Sequence, residues 1–275
     1  MNISEARKYV EVPAAVPFQG GILGVAEILS AGDHDLLGAE YLTDACAEGG
    51  VWNLLCFLDA TIAACGGGTP APPPPGGYKK FGSPDLVQGS PFAVYDGVDC
   101  DGPGSTANAE RATRRLGYSE GRQVDVKVTS VLETMKDVDL GDVTLQEAIM
   151  GFEDLAAANY GGYGTIVMPR SMAVCAYAQR LVERSPGGGL MTVNGTQIAN
   201  TAVTDASTPE SADIYLAGRI TLIQGDVRTI EVPGVVRSDG TCDPRRALAE
   251  RMYVPLIECI VAAATVTCDL IPTTP

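Results

Sequence analysis

The sequence predicts an α+β protein, and three observations predict it. Helical and strand patterns come in separate runs, with no repeating βαβ series. The stretch Thr144 to Thr204 reads as helix, short buried strand, helix and then a pair of strands. Downstream, Asp213 to Val232 is rich in strand formers: Ile214/Leu216, Ile220/Leu222 and Val227/Ile230/Val232, with turns at Gly218 and Gly225-Asp226. These later strands are expected to pair with the earlier ones in one mixed sheet.

Taken from the start, Met1 to Gly24 is polar and then extended, punctuated by Pro13 and Pro17, with no helical face to bury. Val25 to Cys65 carries apolar residues at helical spacing twice, at Val25/Ile28/Leu29 and, with the better pattern, at Val51/Leu54/Leu55/Leu58/Ile62. Gly66 to Gly77 is low-complexity; Pro72 to Pro75 favour a stiff polyproline II rod, suited to a spacer or to a proline-recognising partner. Tyr78 to Asp99 predicts a long hairpin around Gly82-Ser83-Pro84-Asp85.

Gly102 to Met135 predicts a long helix. Ser105 can cap it, and Ala109, Ala112, Arg115 and Leu116 follow on successive turns, although Gly117 and Gly121 weaken the middle. From Val124 two patterns compete: Val124, Val126 and Val128 alternate as a strand does, while Val124, Val128, Val131, Leu132 and Met135 follow a helix. The helical set is longer and decides. A helix over all of Gly104 to Met135 would extend about 48 Å at about 1.5 Å per residue.

Thr144 and Glu147 have the spacing of a capping box, which starts the next helix. Ala148, Ile149, Phe152, Leu155 and Ala156 form its inner stripe, and Gly161, Gly162 and Gly164 are expected to end it in left-handed conformations. Thr165 to Met168 are strand formers that Pro169 should terminate, and Ser171 is expected to cap a helix carrying Met172, Val174, Cys175, Ala178, Leu181 and Val182. After the breaker Ser185-Pro186-Gly187-Gly188-Gly189, Leu190 to Val193 and Gln197 to Val203 flank Asn194-Gly195, a strong hairpin signal. Pro233 to Pro244 reads as a loop, and Arg245 to Glu250 lead into a final strand.

Composition narrows the function classes. The chain has 275 residues, 45% hydrophobic and 19% charged, enough for a real core in one or two domains. A net charge of −15 leaves no basic stripe for DNA phosphates. It fits either ordinary acidic solubility or a wall that weakly repels an enclosed polyanion. The eight cysteines contain no Cys-x-x-Cys pair and the chain has a single His, which speaks against a structural zinc site. Cys56 and Cys259 sit in apolar runs and read as small buried hydrophobes of a reducing compartment. No basic-then-apolar leader or membrane-length apolar run occurs, which points to the cytosol.

Four pieces together resemble the axial domain of the major capsid proteins of tailed bacteriophages, the fold named after phage Hong Kong 97 and shared by encapsulin shells. They are the glycine-ended helix, the strand-Pro-Arg turn Ile166-Val167-Met168-Pro169-Arg170, the following helix, and Gly195 to Ile198. Arg245 to Cys268 is similar to that family's closing segment, with a basic approach, a long strand through a peripheral domain, a Pro and a last apolar strand. The finer flavour is similar to capsid proteins of phages infecting actinobacteria, and the likeness covers roughly Ala107 to Cys268. The resemblance implies an N-terminal arm at the start of the first unit, 1–65, whose helical segment from Val25 to Cys65 has no counterpart in that family, and an extended loop within the proline/glycine-rich unit 66–101. It further implies a peripheral domain with its spine helix over 102–143, an axial domain with a mixed sheet over 144–232, and a return strand and last axial strand over 233–275. A frayed terminus is the plainer account of the first residues. With Met1 as the first residue, no room is expected for the scaffolding segment that such proteins often shed.

The same residues offer few candidates for chemistry. Asp33-His34-Asp35 holds the sole His beside two carboxylates, but adjacent loop residues point apart and a solvated turn is the expectation. No Gly-x-Ser-x-Gly elbow exists, and the glycines at Gly161 and Gly187 lack the register of a phosphate loop. Arg111, Arg114 and Arg115 form a basic cluster that could touch DNA or a carboxylate across an interface; with Glu110 and Glu120 close by, pairing along the helix or between subunits is the expectation. Some capsids of this fold crosslink a loop Lys to a neighbour's Asn; Lys79 and Lys80 lie at the loop's base, so no crosslink is expected. No catalytic, cofactor or metal residues are assigned.

The resemblance implies a subunit that assembles with copies of itself into hexamers and pentamers of an icosahedral shell around double-stranded DNA. It implies scaffold, portal and decoration partners, only non-specific contact with packaged DNA, no membrane, and assembly in the host bacterial cytoplasm into a virion. The alternatives are an encapsulin-like compartment, a phage tail or decoration protein, and a small acidic hydrolase.

Overall fold

The computed structural model describes residue 18 and residues 20–32, 35–43, 85–99, 108–202, 211–232 and 246–268. The expected helix at Val51 to Ile62, the polyproline rod, the loop tip around Gly82 and the cap at Ser105 lie outside these residues, as do His34, Lys79 and Lys80.

Seven strands form the larger sheet. In spatial order they are β5 (Val138–Thr144), β14 (Val261–Thr267), β10 (Ser211–Ala217), β6 (Thr165–Pro169), β9 (Gln197–Thr201), β8 (Leu190–Thr192) and β7 (Val182–Arg184). β5 runs parallel to β14 and β6 to β9, and the other neighbours are antiparallel. The smaller sheet is built on the long strand β13 (Arg246–Ile257). On one side β12 (Arg228–Val232) and β11 (Ile220–Gln224) pair successive parts of it, and on the other β4 (Phe92–Asp99) pairs it from Arg246 to Tyr253. β1 (Glu27–Ser30) adds to β11 in parallel. A separate antiparallel ribbon joins β2 (Ala39–Thr43) to β3 (Asp85–Gly89).

The larger sheet is covered on both faces, and the strands divide their residues accordingly. Ile214 and Leu216 of β10, with Ala262, Ala264 and Val266 of β14, enter the core under α3 (Leu145–Asn159) and α4 (Arg170–Ala178). The alternate residues Tyr215, Ala217, Val261 and Ala263 enter the core containing α1 (Ile22–Val25) and the long α2 (Asn108–Met135). Two-sided burial explains why these strands read as unbroken apolar runs. α2 spans 28 residues, about 42 Å at about 1.5 Å per residue. It buries Ala112, Leu116, Val124, Val128 and Leu132 and touches both sheets, so the helical set from Val124 onward prevails over the alternating one.

Several expectations are corrected. The mixed sheet anticipated for Asp213 to Val232 is divided, because the chain crosses from one sheet to the other at Gly218-Arg219: β10 belongs to the larger sheet, β11 and β12 to the smaller. The first arm of the hairpin expected over Tyr78 to Asp99 lies outside the described residues. β3 pairs with β2 while β4 pairs with β13, and Ser90-Pro91 carry the chain between them. Val25, Ile28 and Leu29 do not share a helix; α1 is four residues long, and Ile28 and Leu29 lie in β1, where pairing with β11 outweighs a short helical pattern.

The capping box at Thr144 is formed, with both reciprocal hydrogen bonds present. The end of α3 differs, since Tyr160 is extended and none of Gly161, Gly162 and Gly164 has positive φ. Pro169 is the last residue of β6 and itself precedes α4, which begins at Arg170 without a side-chain cap from Ser171. α4 also stops early, at Ala178. Leu181 N–H donates to the Ala176 carbonyl and Arg180 N–H to that of Tyr177, a Schellman motif, so Val182 is free to start β7. The β8–β9 hairpin is present, closed by Val193 to Thr196 with Gly195 at φ 94. Pro255 lies inside β13 and does not interrupt it; the break falls at Glu258 to Ile260.

The cysteine reading is corrected as well. Cys175 of α4 and Cys268 just beyond β14 form a disulfide with Cα atoms 6.1 Å apart, and Cys259 is also disulfide-bonded. The pairing joins residues 93 apart in sequence, which only the packing of α4 over the sheet brings together.

Candidate functional site

Lone carboxylates inside apolar runs signal a buried charge with fixed partners, because an unpaired buried charge is strongly unfavourable. Two such residues hold the joints of this fold. Asp125, between Val124 and Val126 on α2, is 2% exposed. Its Oδ1 accepts from Ile22 N–H at 2.8 Å and its Oδ2 from Ala202 N–H at 3.0 Å, so one side chain ties α2, the first residue of α1 and the residue after β9. Asn200 N–H also donates to the Gly20 carbonyl at 2.7 Å, and the Arg170 guanidinium lies over the Phe18 ring. Burial raises the Asp125 pKa above its ordinary value of 3.8, against the opposing pull of the two N–H bonds and Arg170.

Glu258 is the second. It sits where β13 passes into β14, beside the turn from β10 to β11, so the two crossings between the sheets run together. Gly218 N–H donates to the Ile260 carbonyl and Glu258 N–H to that of Arg219, each at 3.1 Å. The Glu258 carboxylate accepts from Arg219 Nη2 at 2.7 Å and from the Tyr160 hydroxyl at 2.9 Å. Arg219 N–H donates to the same hydroxyl at 3.0 Å, and Arg219 Nη1 reaches Glu27 Oε2 of β1 at 3.4 Å. Burial first, then Glu258, pushes the Tyr160 phenol up to about 12. A cleft of about 660 Å³ opens beside this cluster between Ala26, Tyr163 and Gln197.

A third cluster ties α2 to the smaller sheet. Glu120 accepts from Arg251 at 3.0 Å and from the Tyr253 hydroxyl at 2.8 Å. Arg115 pairs with Asp96 of β4 at 3.0 Å, so its partner and that of Glu120 are on other elements of the same chain, not along the helix, which was one of the two pairings the sequence suggested. The carboxylates in these clusters are held by donors on several elements, an arrangement that fixes geometry. Among the described residues no group of three or more His, Cys, Asp or Glu is placed to hold a metal ion. No described helix is long and apolar enough to cross a membrane.

The outer surface keeps large apolar side chains in water. Leu42 and Leu86 face each other across the β2–β3 ribbon at 65% and 53% exposure, with Leu37 nearby in sequence at 82%. Near β7, Val174, Tyr177 and Val193 are exposed as well.

No protein-family model matches the sequence, nor does any curated protein. Solved structures do match in shape. A chain of Mycobacterium phage Cain is 14% identical, with 96% of this chain and 95% of that one covered, at a TM-score of 0.52. The capsid of a native GTA particle is 10% identical, with 96% of each chain covered, at 0.50. A virus-like particle from Pyrococcus furiosus is 9% identical, with 90% and 92% covered, at 0.50. The chain has a mixed α+β fold resembling the Hong Kong 97-like capsid architecture. Sequence reasoning reached that fold but not the residues that join its parts: Asp125 and Glu258 carried a legible signal as lone acids in apolar runs, whereas Tyr160 and Arg219 carried none.

Proposed function

We propose that this protein is the major capsid subunit of a tailed double-stranded DNA bacteriophage, self-assembling through hexamers and pentamers into an icosahedral shell. The observation that carries the reading is a fold likeness spanning 96% of the chain to the capsid of the native GTA particle. The exposed leucine pair of the β2–β3 ribbon supports it, because apolar side chains left in water on an outlying element are suited to burial by a neighbouring copy. In this reading residues 1–65 form the N-terminal arm and helical segment, and 66–101 the spacer and extended loop. Residues 102–143 form the peripheral domain with α2 as its spine, 144–232 the axial domain, and 233–275 the return and last strands. Scaffold, portal and decoration proteins are its further partners, and the net charge of −15 confines contact with packaged DNA to a non-specific kind. Assembly takes place in the host cytoplasm and the protein resides in the virion.

Electron microscopy of the purified protein tests the reading. Closed icosahedral particles are expected; small discrete oligomers under all assembly conditions would overturn it. The likeness to the virus-like particle from Pyrococcus furiosus favours a second reading, a protein compartment of the same fold. Particles from infected cells that carry long double-stranded DNA distinguish the first from the second.

A further inference from the structure

Opposite charges gather at the two ends of the seven-stranded sheet. At one end, Arg180 precedes β7 and Arg184 is its last residue, both exposed, with Glu183 between them as the acid of that strand. Neither guanidinium has an ion-pair partner among the described residues. Arg180 also has φ 60, the left-handed position of the Schellman motif that Gly fills without strain. Beside them a groove of about 510 Å³ is bounded by Tyr177, Val182 and Val193, the last 78% exposed.

At the other end β5 is the edge strand among the described residues, and Asp137, Asp139 and Asp142 stand exposed along it, with Glu133 near the close of α2. Lys136 is the cation there, and Asp139 already holds it at 3.1 Å. On α3, which packs against β5, Met150 is exposed.

We propose that the β7 end of one copy docks on the β5 end of a second copy. Arg180 and Arg184 take the carboxylates around Asp142, and the Tyr177–Val193 flank covers Met150. The inference rests on the shell-subunit reading and adds which two surfaces meet. Charge complementarity selects a second copy as the occupant: in a chain of net charge −15 the unpaired arginines face outward at one sheet end, and the acids that match them line the opposite end of the same sheet. Because the two surfaces differ, the contact is head-to-tail and repeats by rotation, the kind of interface that closes into rings.

The test uses the full chain, with light scattering after size exclusion and electron microscopy at about 0.15 M and about 1 M NaCl. Arg180→Gly alone is expected to melt about 2–4 °C higher than wild type, since it removes a strained residue. Arg180→Gly combined with Arg184→Glu is expected to keep the wild-type circular dichroism spectrum and lose at least about tenfold of assembled protein, on the scale of close interfacial charge pairs. Arg184→Glu and Asp142→Arg should each impair assembly and, placed in one chain, restore it. Weaker assembly at high salt supports the pairing. Wild-type shells with undiminished assembly of the double variant, or no rescue by the charge swap, would overturn the edge contact and leave the shell reading standing. A wild-type chain that stays monomeric at every concentration would overturn both.

Discussion

Replacing Gly218 by Ala places a methyl group where the two crossings between the sheets lie side by side. A Cβ at this position would be 2.4 Å from the Glu258 carbonyl oxygen and 3.1 Å from its carbonyl carbon, against 3.4 Å or more for ordinary contact. The obstacle is backbone, so no rotamer change relieves it, and one crossing must move by about 1 Å. That movement stretches the paired hydrogen bonds Gly218 to Ile260 and Glu258 to Arg219, both already 3.1 Å. Each is worth about 0.5–1.5 kcal/mol, and overpacking adds about 1–3 kcal/mol. The sum is about 2–6 kcal/mol, a melting temperature lower by about 4–24 °C for a chain of this size. Gly117→Ala is the control. It lies within α2 and a Cβ there meets nothing within 4 Å, so Ala should raise stability by about 0.5–1 kcal/mol through helix propensity alone. Thermal unfolding followed by far-ultraviolet circular dichroism reads both. If Gly218→Ala melts within about 2 °C of wild type, the close approach of the crossings is not what holds the sheets together.

Three further outcomes are expected. Cys175→Ser with Cys268→Ser removes a bridge between residues 93 apart; loop-closure entropy puts the loss at about 4–5 kcal/mol, read as a lower urea midpoint under non-reducing conditions, and an unchanged midpoint contradicts it. The Asp125 carboxyl has a folded pKa raised above 3.8 by burial, so its favourable contribution is full below 3.8 and is lost as pH rises through the raised value. The stability of wild type relative to Asp125→Asn should therefore decrease over that window and then level off, and an increase with pH across it would refute the argument. Leu86→Glu, at an exposed ribbon position, should change unfolding by no more than about 0.5 kcal/mol yet abolish shells in electron microscopy; normal shells would remove the ribbon from the interface.

Much of the fold was legible because it is written in local pattern. Thr144 and Glu147 declare a helix start within four residues, and Val124 to Met135 repeat on one helical face. Elsewhere local pattern misled. Leu181 and Val182 continue the helical stripe of α4, but the left-handed turn at Arg180 redirects them into the strand β7. Ile28 and Leu29 have helical spacing with Val25, but β11 offers a longer ladder. The joints were less legible still. Asp125 stands out as an acid among valines, but nothing in the linear order says that its partners are the amides of Ile22 and Ala202.

By itself the sequence determined the α+β class, the order of the central helices and strands, and the acidic character of the surface, since each follows from spacing or composition within a short window. The tertiary structure alone decided that the strands divide between two sheets, that Cys175 meets Cys268, and that Arg219, Glu258 and Tyr160 meet at the crossing. The physical reason is that these contacts join residues tens to a hundred positions apart. A chain fixes its local dihedral preferences residue by residue, while the distant partners of a buried charge are chosen only when the whole core closes around it.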